Sequence, residues 1–157
     1  MQRMLTAVLV ALLAAGVASA DFQAAMDAYN AGEFEKAYDG WLPLAESGNA
    51  AAQFNVGLLY ERGEGRERDS EEAIRWYVQA AENGFAQAQF RLGEIYETGE
   101  QVERDLIEAR KWFFVASEAK FPKARKRKKQ VAKEMTPKEI ALGDMWGRVL
   151  AKKLKGD

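Results

Sequence analysis

Ala52-Gln53-Phe54-Asn55-Val56-Gly57-Leu58-Leu59-Tyr60 and Ala88-Gln89-Phe90-Arg91-Leu92-Gly93-Glu94-Ile95-Tyr96 are one phrase written twice, 36 residues apart. The correspondence runs on without a gap. Gly63 falls on Gly99, Glu67-Arg68-Asp69 on Glu103-Arg104-Asp105, Ala73 on Ala109, Trp76 on Trp112, Ala80 on Ala116 and Phe85 on Phe121. A fixed period of this length marks an array in which each unit is one supersecondary element. Each unit reads as two helices. In the first, Ala52, Val56, Leu59 and Tyr60 recur at helical spacing, and Gly63 supplies the residue that closes a helix in the left-handed conformation. After a charged loop, Asp69 stands three residues before Glu72, and Asp105 three before Glu108. Both pairs predict a capping box. The second helix carries Ala73, Trp76, Tyr77, Ala80 and Ala81 on one face and ends at Gly84. Small residues at Gly57, Gly93, Ala73 and Ala80 allow close helix approach, so the packing geometry is what repeats.

Residues 52–60, with Gly63-Glu64-Gly65, Asp69, Ala73, Trp76-Tyr77 and Ala80-Ala81, resemble a Sel1-like repeat, a relative of the tetratricopeptide repeat. The second unit matches again, with Gln101 in place of the second loop glycine. The resemblance implies an all-α, right-handed α-solenoid of antiparallel helical hairpins, because a lone hairpin cannot bury its apolar face and stacking supplies the missing core. On this reading residues 21–50 form a tetratricopeptide-like hairpin with a shorter loop, 51–87 and 88–123 are Sel1-like repeats, and 124–157 are basic capping helices. Lys128 and Lys129 stand where Leu92 and Gly93 stand one unit earlier, as suits a last unit that meets water. Thr136-Pro137-Lys138-Glu139 combines an N-cap, a first-turn proline and a capping-box partner. It opens a final helix whose expected apolar stripe is Ile140, Leu142, Met145, Trp146, Val149 and Leu150.

Met1-Gln2-Arg3, the apolar run from Met4 to Val17 and Ala18-Ser19-Ala20 form the pattern of a secretory signal peptide with cleavage after Ala20. The expected location is periplasmic or secreted, with no transmembrane segment left after cleavage. The 157 residues contain no Cys and no His, and 48% are hydrophobic. A thiol nucleophile, a disulfide, an imidazole base and an imidazole or thiolate metal site are therefore all excluded. No catalytic residue, metal ligand or cofactor site is assigned.

Charge is segregated along the chain. Residues 21–118 hold 9 basic and 20 acidic side chains, net −11, whereas 120–157 hold 13 basic and 4 acidic, net +9. The densest stretch supplies Lys123, Arg125, Lys126, Arg127, Lys128 and Lys129. An exported protein meets little nucleic acid, so an anionic cell-envelope surface or an acidic protein face is the better partner for this basic patch, and a solvated capping helix is its plain reading. Trp41, Trp76, Trp112 and Trp146 share the second-helix phase and are expected in the core. The remaining surface is the concave face, which the resemblance lines with first helices: Gln23, Asp27 and Asn30, then Phe54, Leu58 and Glu61, then Phe90, Glu94 and Glu97, ending in Lys126 and Lys133. Phe54 and Phe90 have two readings, groove or burial between neighbouring units. The implied function is a periplasmic scaffold or adaptor that binds a peptide or protein partner in this groove. The alternatives are a cell-wall-associated enzyme or accessory factor, for which no nucleophile–base pair is present, and an anionic-surface binder acting through the basic C-terminal helices.

Overall fold

A computed structural model describes residues 19–156. The expected leader lies outside the described residues apart from Ser19 and Ala20, which are helical and belong to helix α1, described over 19–30. There follow α2 (Phe34–Glu46), α3 (Ala50–Arg62), α4 (Ser70–Glu82), α5 (Ala86–Thr98), α6 (Leu106–Glu118), α7 (Ala124–Val131), a single 3-10 turn (Ala132–Glu134) and α8 (Pro137–Lys155). Among the described residues there is no strand. From α2 to α6 each helix packs on the next, and α8 lies on α6. The architecture is the all-α solenoid expected from the period.

The local signals act as their chemistry requires. Gly63 and Gly99 close α3 and α5 in the left-handed region, at φ 69° and 72°. The Asp69 carboxylate accepts from the Glu72 amide, and Asp105 from the amides of Ile107 and Glu108. The expected capping boxes form only in this half. The Asp69 and Asp105 amides donate instead to the carbonyls of Tyr60 and Tyr96, which loop closure brings within 3.1 and 2.9 Å. Glu72 and Glu108 are left to pair with Arg75 and Lys111. Only Thr136 and Glu139 complete a full box among the described residues.

The core is built from small residues against large rings. A Cβ on Gly57 would meet the Tyr77 ring at 2.9 Å, and one on Gly93 would meet Phe113 at 2.5 Å. Gln53 and Gln89 explain their own repetition: both are buried, and each donates to the last turn of the preceding second helix, at Ala45 O (3.0 Å) and Ala81 O (3.1 Å). The first hairpin joins the first repeat through polar rings. The Tyr29 hydroxyl accepts from Arg62 and donates to Glu64, and the Tyr38 and Tyr60 hydroxyls lie 2.9 Å apart.

Two expectations are corrected at the C-terminal end. Trp41, Trp76 and Trp112 are buried, but Trp146 is exposed. The buried line of α8 is Gly143, Gly147 and Ala151, not the larger apolar residues. Gly147 sits so close to Phe114 that a Cβ would fall 2.6 Å from the Phe114 Cβ, and Gly143 lies against Arg110 and the Ile107 carbonyl. Small residues let α8 approach α6 closely, which turns Met145, Trp146 and Val149 outward. Arg110 fastens the junction, donating to Asp144 of α8 and to the Lys128 carbonyl of α7.

Candidate functional site

A pocket of about 310 Å³ opens where α3, α5 and the segment before α7 meet. Its apolar wall is three phenylalanines, Phe54, Phe90 and Phe121, and Arg91, Glu94 and Lys123 stand at its edge with Gln87 and Pro122. The repeat produces this grouping. Phe54 and Phe90 occupy the same place in α3 and α5, and Phe121 repeats Phe85 at the end of a unit. Phe54 is 8% exposed and packs on Tyr77 and Phe85, with ring centroids 5.3 Å away in both cases. Phe54 is therefore buried, both of these rings belong to its own repeat, and it also lines the pocket. Phe90 is half-buried, against Phe113 at 5.4 Å and Phe121 at 5.0 Å.

Glu61 is the centre of an internal network. Its carboxylate accepts from the Tyr77 phenol (2.6 Å), from Gln101 (2.8 Å) and from Arg91, whose guanidinium also reaches Glu94 at 3.4 Å. Burial alone would raise the Glu61 pKa, but the hydrogen bonds from Arg91, Tyr77 and Gln101 outweigh it and hold the group below its ordinary value. Burial, followed by the hydrogen bond to Glu61, pushes the Tyr77 phenol far up. Arg91 is thereby fixed at the pocket edge as a rigid cation. One unit later Glu97 pairs with Arg127 at 2.7 Å. The position of Tyr77 is taken there by Phe113, which has no donor. Burial raises the Glu97 pKa, with Arg127 opposing and Glu94 and Glu134 adding to the rise.

The expected groove is thus divided. Phe54, Phe90 and Glu94 come together in the pocket, with Lys123 from the basic patch. Glu61 and Glu97 are occupied by ion pairs, and half-buried Leu58 is not part of the wall. Asp27 and Asn30 are exposed on α1 away from it, Asp27 accepting from Gln23 at 2.8 Å. The basic patch divides in the same way: Lys123, Arg125, Lys126 and Lys129 are exposed, whereas Arg127 is drawn to Glu97 and Lys128 lies over the Phe114 ring at 4.2 Å. Gln87, Arg91, Phe121 and Pro122 were not expected at a site. The Phe85–Phe121 correspondence was their one legible sign. A second concavity, of about 340 Å³, lies between α1 and α2 beside Ala25, Gly40 and Leu44, outside the repeats.

Residues 50–85 and 86–121 each match the family model of the Sel1 repeat. Among solved structures, the chain is similar to a protective antigen present in uropathogenic Escherichia coli strains that displays an SLR fold, with 30% identity and a TM-score of 0.76 over 88% of this chain and 30% of that one. It is also similar to a Sel1 repeat protein from Oxalobacter formigenes, with 31% identity and a TM-score of 0.68 over 85% of this chain and 55% of the other. The chain therefore spans between about a third and just over half of the length of these two proteins. No curated protein matches it. Sel1 repeat proteins generally act as scaffolds for protein–protein interaction. With two consecutive repeats over residues 50–121 at its centre and solved neighbours of the same build, the chain carries two Sel1 repeats within an all-helical solenoid of the Sel1/SLR kind.

Proposed function

We propose that this chain is an exported, non-catalytic adaptor that holds a peptide or protein segment by seating an apolar side chain in the Phe54–Phe90–Phe121 pocket. The observation that carries the reading is the pocket itself. Three rings, from α3, α5 and the segment before α7, converge on one concavity, and cations and a carboxylate stand at its edge. Apolar walls with a few fixed polar groups suit capture of a side chain together with its flanking backbone. Arg91 and Glu94 offer one donor and one acceptor for that backbone, and the ion pair with Glu61 holds the donor in place without reorganisation on binding. Export rests on the leader pattern at 1–20. The acidic-to-basic gradient along the chain would orient a complementary charged segment and speed encounter.

The test is site-specific photocrosslinking. A photoreactive phenylalanine analogue in place of exposed Gln87, at the pocket edge, should trap one partner, and the same analogue at exposed Glu46 on α2 should trap none. Equal crosslinking from both positions, or none from position 87, would remove the reading.

A further inference from the structure

The packing of α8 buries its small residues and leaves its large ones outside. Met145, Trp146 and Val149 are 49%, 39% and 64% exposed, and they are the exposed large apolar side chains among the described residues. With half-buried Leu142 they stand at i, i+3, i+4 and i+7, which makes one stripe on the side of α8 away from the Gly143–Gly147–Ala151 line. Lys138 lies one turn before the stripe and Lys152 and Lys153 one turn after it, all exposed. Among the described residues the ion pairs of α8 are Asp144–Arg110 and Lys155–Glu118, and these three lysines make none there. The two acids of α8 are turned elsewhere, Asp144 to Arg110 and Glu139 to the Thr136 cap.

We propose that this face of α8 is an interfacial anchor for an anionic lipid surface. The stripe enters the boundary between headgroups and acyl chains, with Trp146 at the level its amphipathic ring prefers. The lysines lay their stems beside it and place their ammonium groups on lipid phosphates. Exposed Arg125, Lys126 and Lys129 of α7 add to the attraction. A second copy fits the face less well. Stacking α8 on α8 opposes lysines to lysines, and the rest of a second copy offers no exposed large apolar side chain among the described residues to cover the stripe. An anionic bilayer supplies the apolar and the charged counterpart together. No helix among the described residues is long and apolar enough to cross a membrane, so the contact is a surface one. This face is separate from the pocket and does not depend on the adaptor reading.

The experiment is sedimentation of the full chain with vesicles of phosphatidylglycerol and phosphatidylethanolamine, against vesicles of phosphatidylcholine alone. Residues 1–20 are common to every variant, so differences report α8. The wild type should bind the anionic vesicles, release in high salt and show a blue shift of tryptophan emission that is lost in Trp146→Phe. Met145→Ser with Val149→Ser, and separately Lys152→Glu with Lys153→Glu, should each weaken binding roughly tenfold or more while circular dichroism is unchanged. A wild type that stays in the supernatant with anionic vesicles, or binding as tight after either pair of changes, overturns the proposal. So does self-association that Met145→Ser with Val149→Ser abolishes while vesicle binding is untouched.

Discussion

Arg127 holds Glu97 at 2.7 Å just as Arg91 holds Glu61 one repeat earlier, so the same ion pair ties successive first helices together twice. The two rungs differ in two donors. Tyr77 and Gln101 both donate to Glu61, whereas one period later Phe113 and Pro137 stand in their places and offer Glu97 no donor. The two carboxylates shift in opposite directions accordingly, Glu61 down and Glu97 up.

Phe113→Tyr should restore one of the two missing donors and lower the Glu97 pKa. In the wild type the folded pKa of Glu97 lies above its unfolded value, so the stability that comes from its protonated form is lost as pH rises through the folded pKa. A phenol at position 113 should recover about 1 kcal/mol at neutral pH. Carbon-detected titration of the Glu97 carboxylate checks this. An unmoved pKa would mean that the two rungs are not equivalent.

Tyr77→Phe should cost about 1.5–3 kcal/mol at neutral pH, the range for a hydrogen bond to a charged group. Glu61 has a depressed folded pKa, so its contribution is present above the unfolded pKa and is lost as pH falls through the folded one. Urea unfolding of wild type and variant should therefore converge in acid. A difference independent of pH would assign the loss to packing alone.

Gly93→Ala puts a Cβ 2.5 Å from the Phe113 ring. The strain should destabilise by ~1–3 kcal/mol even though alanine is the better helix former. An unchanged or raised melting temperature would show that Phe113 yields without cost.

Lys120 stands 36 residues after Gly84 and 72 after Gly48, and it shares their left-handed backbone, at φ 59° against 83° and 92°. The amides after the three residues make the same return bonds, to Leu44, Ala80 and Ala116. A side chain in that region costs roughly 1–2 kcal/mol, so Lys120→Gly should raise the melting temperature by a matching amount. A lower melting temperature would mean that the lysine side chain contributes more than its backbone costs.

The helices, their caps and the repeat were legible because Gly63, Gly99, Asp69 and Asp105 act through local backbone chemistry, which spacing alone reveals. The far end of the chain was not. The stripe from Ile140 to Leu150 has helical period, and so does Gly143, Gly147 and Ala151, and choosing between them needs the surface of α6. Phe114 and Arg110 decide it, because close approach to them requires residues without side-chain bulk. The groove was legible in part for a similar reason. Phe54 and Phe90 have the right phase, but Phe54 is drawn into the core by Tyr77 and Phe85, and Glu61 by Arg91, Tyr77 and Gln101. Those partners lie up to 40 residues away, as in the Gln101–Glu61 bond, and helical period does not reach so far. The burial of Phe54 also makes Phe54→Ala a test of stability, with an expected loss of ~3–5 kcal/mol, and not of binding.

The pocket is tested most directly by a peptide selected from a random library on the wild-type chain and then titrated against two variants. Gln87→Trp fills the pocket mouth from an exposed position, and Glu82→Trp places the same ring on exposed α4, outside the pocket wall. With equal melting temperatures, Gln87→Trp should weaken the selected peptide by about tenfold or more, ~1.4 kcal/mol, and Glu82→Trp should leave its affinity unchanged. Equal affinity for the wild type and both variants would contradict the assignment of the Phe54–Phe90–Phe121 pocket as the binding site.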